Sequence, residues 1–150
     1  MIRPATKEDL PGIWELIREL AIYENAPHEF VITLAQLRKD FDDKQFISFV
    51  AEKDHEIVGM ALAYNMYSTW KGVSLYLEDI VVREAHRRSG IGSQLFEAVA
   101  KHAKESNAGK MVWQVLDWNT PAIEFYKKYH ANFDAEWKTC RFNREQIEGF

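Results

Sequence analysis

Glu78 and Asp79 stand side by side inside an otherwise apolar run, Leu75 to Val82. Such a run reads as a strand, and neighbours on a strand point to opposite faces, so a central strand here would bury at least one carboxylate. A buried, unpaired charge is costly. A carboxylate kept in that position is therefore paired with a base, exposed where strands splay, or used in chemistry. A paired structural role is the competing reading, stronger for Asp79 than for Glu78.

Soon after Val82 comes Arg87-x-x-Gly90-x-Gly92, at the mouth of a helix whose apolar face is Ile91, Leu95, Ala98, Val99 and Ala103. Glycines let a ligand approach the backbone, and the unpaired amides and positive dipole end of a helix favour phosphate oxygens. A pyrophosphate fits at Arg88 to Ser93. The plainer alternative is two glycines that make a turn beside two solvated arginines. A Walker-type loop needs Lys and then Ser or Thr after its second glycine, and a dinucleotide fingerprint needs a third glycine where Leu95 stands. Neither is present. The five histidines and the single Cys140 show no metal-ligand spacing, so no metal is expected.

The elements that carry these residues follow from periodicity. Residues 2 to 5 are extended, and Thr6 with Asp9 three positions on resembles a capping box opening a helix over Leu10, Ile13, Trp14, Ile17, Leu20 and Ala21. Tyr23 to Phe30 reads as a loop around Pro27, and a second helix runs from about Thr33 to Phe41. Phe46 to Glu52, Ile57 to Tyr67 and Val73 to Val82 read as strands, the first two joined by a hairpin turn at Lys53-Asp54-His55-Glu56. Asn107 to Lys110 closes the glycine-led helix, and Met111 to Leu116 is a further strand. Asn119 or Thr120 can cap a helix with Pro121 in its first turn. Ala131 to Phe142 finishes as two short strands. The order gives an α/β fold in which one mixed sheet has antiparallel and parallel pairing.

The chain has 150 residues, 47% of them hydrophobic, which suits a single domain spanning 1–150. Ile57 to Tyr67 is too short to span a membrane, and MIRPATKEDL lacks the apolar core of a signal peptide, so a cytoplasmic location is expected. One cysteine fits a reducing compartment. A net charge of -4 with scattered Lys and Arg argues against a nucleic-acid-binding face.

Leu77-Glu78-Asp79-Ile80-Val81-Val82, followed by Arg87-Arg88-Ser89-Gly90-Ile91-Gly92, resembles the acetyl-CoA-binding signature of the GNAT acetyltransferase superfamily. Ile2-Arg3-Pro4-Ala5-Thr6 resembles a common opening of that superfamily, and Trp118-Asn119-x-Pro121-Ala122-x-x-Phe125-Tyr126 its later helix beside the cofactor. Leu20-Ala21-x-Tyr23-Glu24, Leu75-Tyr76-Leu77-Glu78-Asp79 and Trp118-Asn119 are similar to the narrower diamine acetyltransferase family, which includes spermidine/spermine and thialysine acetyltransferases.

The resemblance implies a GNAT-type fold, acetyl-CoA as acetyl donor, a small cationic amine as acceptor, and a homodimer. It places the cofactor against Ile80, Val81 and Val82 and against Arg87, Arg88, Ser89, Gly90, Ile91, Gly92 and Ser93, with Asn119 and Tyr126 beside it. Tyr23, Glu24, Glu78 and Asp79 face the amine. Tyr126 and Glu78 are the catalytic pair, although an aromatic on an amphipathic helix is ordinarily core, as Phe125 and Tyr129 illustrate. His130 departs from the superfamily, whose members often carry glycine after this helix; His accepts a positive φ less readily than Gly.

The implied reaction is direct. An alkyl ammonium with pKa of about 10.4 must lose a proton before it attacks a thioester. Glu78, directly or through water, assists that step; a backbone amide around Val81 stabilises the oxyanion, and Tyr126 protonates the departing thiolate. The alternatives are an acetyltransferase for protein lysines or N-termini, and a non-catalytic acyl-CoA-binding regulatory module.

Overall fold

The computed structural model describes residues 1–150, and the chain divides into two compact units, Met1–Gln114 and Val115–Phe150. The first unit contains β1 (Ile2–Pro4), α1 (Leu10–Tyr23), α2 (Leu34–Asp42), β2 (Ile47–Lys53), β3 (Glu56–Ser68), β4 (Gly72–Val82), α3 (Ile91–Glu105) and β5 (Met111–Val112). One sheet of order β1-β2-β3-β4-β5 results, antiparallel throughout except that β5 runs parallel to β4. The mixed α/β sheet is the expected one.

Local chemistry explains the connections. Asp54 and His55 both have positive φ, 50° and 64°, as a two-residue turn between right-twisting strands requires. Thr6 donates its backbone N–H to the Asp9 carboxylate at 2.8 Å, which is the foreseen box. Asp9 also takes two bonds from Arg3, whose guanidinium reaches Glu52 as well. Those bonds tie the entry of α1 to the β1–β2 edge, and the Arg3 guanidinium holds the Asp9 carboxyl below the usual carboxylate range.

Leu10, Ile13 and Leu16 of α1 and Leu37 of α2 pack on Val50, Met60, Leu62 and Val81. The opposite face is covered by α3. Gly59, next to Met60 and so on the other side of β3, has room for no side chain: a Cβ there would lie 3.1 Å from the Val81 carbonyl and 3.2 Å from Leu95. That close approach seats the first turn of α3 against the end of β4.

In the second unit, α4 (Thr120–Lys127) is capped by the Asn119 side chain, which accepts from Ala122 N–H, and Pro121 lies in its first turn. His130 has φ 57°, and bonds run from Ala131 N–H to the Tyr126 carbonyl and from His130 N–H to the Lys127 carbonyl. His therefore occupies the left-handed position that glycine usually takes. A short α5 (Arg144–Glu148), unforeseen, is opened by a capping box between Asn143 and Gln146.

Two expectations are corrected. Met111 to Leu116 pairs only over Met111–Val112, because β4 departs from the ladder just beyond their partners Leu75 and Tyr76. Ala131 to Phe142 forms no strand: alternating side chains supply a face, but a strand exists only where its backbone joins a ladder.

Candidate active site

The register of β3 and β4 decides where the carboxylates point. Leu62 faces Asp79, but Ala63 faces Leu77, so Glu78 is an extra residue in a β-bulge. Tyr64 faces Tyr76, and the two rings stack at 5.2 Å. Leu62 and Tyr64 are two apart on β3 and share the α1 side of the sheet. Asp79 and Tyr76, three apart on β4, therefore share that side too. Without the bulge they would be on opposite sides. The opposite-face reading of Glu78 and Asp79 is corrected here: Asp79 is half-buried, Glu78 is exposed, and the bulge keeps them together.

Glu24 completes the cluster. It caps α1, and Asn25 behind it turns left-handed with φ 59°, stopping the helix there. Burial of its carboxyl, then the charge of Glu78, raises Glu24 above the usual carboxylate range. Burial, with the charges of Glu78 and Glu24 added, pushes Asp79 up to about 7. Burial and the Glu78 charge push Tyr64 up to about 12, and the same causes raise Tyr76. Three clustered carboxylates and two neutral phenols attract a cation, and Asp79 gains or loses a proton near neutral pH. The two tyrosines form the aromatic part of this wall. Nothing in either strand alone pairs them, since each is a single ring and the stack depends on the register between β3 and β4.

Beside the bulge lies an open edge. β5 pairs with β4 only as far as Tyr76, so Leu77 to Val82 have no strand on that side. Arg83 N–H donates to the Val58 carbonyl at 2.8 Å. Alternation along an antiparallel pair then turns the Val81 amide toward Met60 and the Ile80 and Val82 amides toward the open edge. The Val82 carbonyl on that edge accepts from Arg87 Nε at 2.9 Å. Of the amides around Val81, those of Ile80 and Val82 face the open edge and that of Val81 faces β3.

Arg88 and Gly90 both have positive φ, 61° and 82°, and Gly90 caps α3 without a side chain. Such a turn leading into a 15-residue helix leaves the first backbone N–H groups of that helix without helical acceptors, an arrangement that suits an anion. At Gly92 an added Cβ would meet only Val82, at 3.9 Å. Asn119 and Tyr126 belong to the second unit, Asn119 as a cap and Tyr126 as a buried side chain of α4.

Proton linkage gives the Asp79 assignment a direct check. An unfolded Asp titrates near 3.9. With a folded value of about 7 the native state keeps a proton that the unfolded chain has lost, so stability falls as pH rises between those values and levels off above. Asp79→Asn is expected to be more stable than the parent near pH 8, by roughly 2–4 kcal/mol since each tenfold difference in proton affinity is about 1.4 kcal/mol, with the gap closing toward pH 4. Urea unfolding near pH 5 and near pH 8 measures it; a gap independent of pH contradicts the assignment.

The model of the acetyltransferase (GNAT) family matches residues 10–131. The chain is similar to the thialysine N-epsilon-acetyltransferase of Bos taurus, 39% identical over 160 residues that cover 98% of this chain and 94% of that protein. It is likewise 39% identical, over 148 residues covering 97% and 92%, to the thialysine N-epsilon-acetyltransferase of Caenorhabditis elegans. An aminoglycoside acetyltransferase from an uncultured soil metagenomic sample shares the fold, with a TM-score of 0.81 at 22% identity over 95% of each chain. With the signature on β4 and α3 and these relatives agreeing over nearly its whole length, the chain belongs to the GNAT family of acetyltransferases.

Proposed function

We propose that the protein transfers the acetyl group of acetyl-CoA directly to a primary amine of a small cationic substrate, of the lysine-like or diamine type. The observation that carries this reading is the cluster of Glu24, Glu78 and Asp79 beside the open edge of β4. The substrate's charges meet the carboxylates, and the thioester lies along the edge next to them. The thialysine acetyltransferases similar to this chain support the acceptor class.

The pyrophosphate of acetyl-CoA suits the amides from Arg88 to Ser93, and its pantetheine arm suits the amides of Ile80 and Val82. A cation entering the cluster favours ionised Asp79, so amine binding and proton release are linked. Glu78 or Asp79, directly or through water, then takes the ammonium proton, and the free amine attacks the carbonyl carbon. The oxyanion is met by whichever of the Ile80 and Val82 N–H groups the pantetheine arm leaves free as the thioester reacts. Tyr126 donates the proton that leaves with the thiolate, a role the family resemblance supports. The same proposal takes both units as one catalytic domain working in the cytoplasm, with no metal in the reaction. It also takes the protein to be a homodimer, which the exposed Tyr67, Trp70 and Val73 at the tip of the β3–β4 hairpin support.

CoA release with thialysine, lysine, ornithine and spermidine, against an uncharged arylamine and a peptide N-terminus, tests the acceptor class. Small cationic amines are expected to give kcat/KM at least about tenfold higher, the scale of one retained charge contact; equal turnover of arylamine or peptide contradicts it. In the same assay Tyr126→Phe is expected to slow single-turnover transfer by about a hundredfold or more while acetyl-CoA affinity holds. An unchanged rate leaves water as the donor.

Gly92→Leu is expected to fold, since a Cβ at that position meets nothing closer than 3.9 Å. It should nevertheless lose the thermal stabilisation that saturating acetyl-CoA gives the parent. A retained shift would move the pyrophosphate elsewhere.

A further inference from the structure

Arg87 starts the turn that reaches Gly90 three residues later, yet its side chain makes contacts outside that turn. Its Nε donates to the Val82 carbonyl at 2.9 Å, and its guanidinium carbon stands 5.2 Å from the centre of the Tyr23 ring. Tyr23 is the last residue of α1, and Glu24 of the carboxylate cluster follows it. One side chain thus joins three parts of the site: the phosphate turn, the end of the open edge, and the helix end that presents Glu24.

We infer that Arg87, which the resemblance sets among the cofactor contacts, is instead a positioning residue that locks the cofactor turn to the acceptor side, holding Tyr23 and Glu24 in place against the bulge of β4. The inference rests on the amine-acetyltransferase reading and extends it. Arginine suits the task because a planar guanidinium stacks on a ring with its face while Nε–H donates in its plane. Lysine keeps the charge but cannot do both. Occupation of the phosphate turn then stiffens the edge that receives the amine, without any contact between Arg87 and the amine.

The test is a cycle between positions 87 and 23, read as KM for thialysine and as acetyl-CoA Kd by calorimetry without amine. Arg87→Lys is expected to raise the thialysine KM roughly five- to tenfold, the size of an exposed cation–π contact with part of a hydrogen bond, while acetyl-CoA Kd stays within about twofold. The same substitution is expected to have that effect in a Tyr23→Phe background, which keeps the ring, and none in a Tyr23→Leu background. Acetyl-CoA binding weakened as much as KM would make Arg87 a phosphate contact, and an unchanged effect in Tyr23→Leu would make the two side chains independent. Either result overturns the inference. A parent protein that binds acetyl-CoA but acetylates no amine refutes the proposed function instead. The cycle is then read from thermal stability with saturating CoA, where additivity of the Arg87→Lys and Tyr23→Leu effects overturns the Arg87 inference separately.

Discussion

The pairing between β3 and β4 slips by one residue at Glu78, and both halves of the proposed chemistry depend on that slip. An extra residue bends its strand and sharpens the local twist. On one side, the bend brings Glu78, Asp79, Tyr64 and Tyr76 onto the face that α1 covers, where Glu24 joins them. On the other, it ends the parallel ladder to β5, so the amides of Ile80 and Val82 face an unpaired edge. A regular β4 would have split the acidic and aromatic side chains between two faces and kept its edge bonded. One local irregularity thus sets a proton acceptor beside a row of hydrogen-bond donors.

Ordinary packing and helix termini hold that irregularity in place. Leu62 and Val81, past the bulge toward Val82, are buried in the core with α1 and α2, and Leu75 and Leu77 before it are buried too, which resists a return to regular register. Gly59 lets Ile91 and Leu95 of α3 lie close against β3, so the turn before α3 is held near the end of β4. Ser106 and Asn107 end α3 in the bonding pattern that closes α1 at Glu24 and Asn25, with the fifth and sixth residues bonding back over the last turn. Glu24 therefore has its place because a left-handed Asn25 follows it. The functional groups sit on strands and helix ends with buried neighbours, which is what keeps a site in one geometry.

Much of this was legible in the residues. Helix and strand periods located α1, α2, β2, β3, β4 and α3, because each has one buried face that repeats. Thr6 with Asp9, Asn119 with Pro121, and the Asp54-His55 turn announced themselves through side-chain chemistry. The bulge did not, since β4 contains no interior glycine to mark it and register is a property of two strands together. Which of the amides around Val81 face the open edge depends on the same register, so the sequence could name the neighbourhood but not the residue. The short β5 and the strandless stretch from Ala131 to Phe142 show the same limit: alternation specifies a face, while pairing needs a partner at the right height. The links of Arg87 to Val82 and Tyr23 join segments 5 and 64 positions apart, and nothing in the local sequence announces the second.

The central claim is that acetyl-CoA binds along a β4 edge left open by the bulge, through Ile80 and Val82 and not through Val81. Amide hydrogen exchange followed by NMR reads those three protons one by one. In the free protein Val81 is expected to exchange slowly, and Ile80 and Val82 quickly. Saturating acetyl-CoA should slow Ile80 and Val82 by about tenfold or more, as new hydrogen bonds on a bound ligand do, and leave Val81 as it was. Rapid exchange at Val81 in the free protein, or no protection of Ile80 and Val82 when acetyl-CoA is bound, would contradict the account.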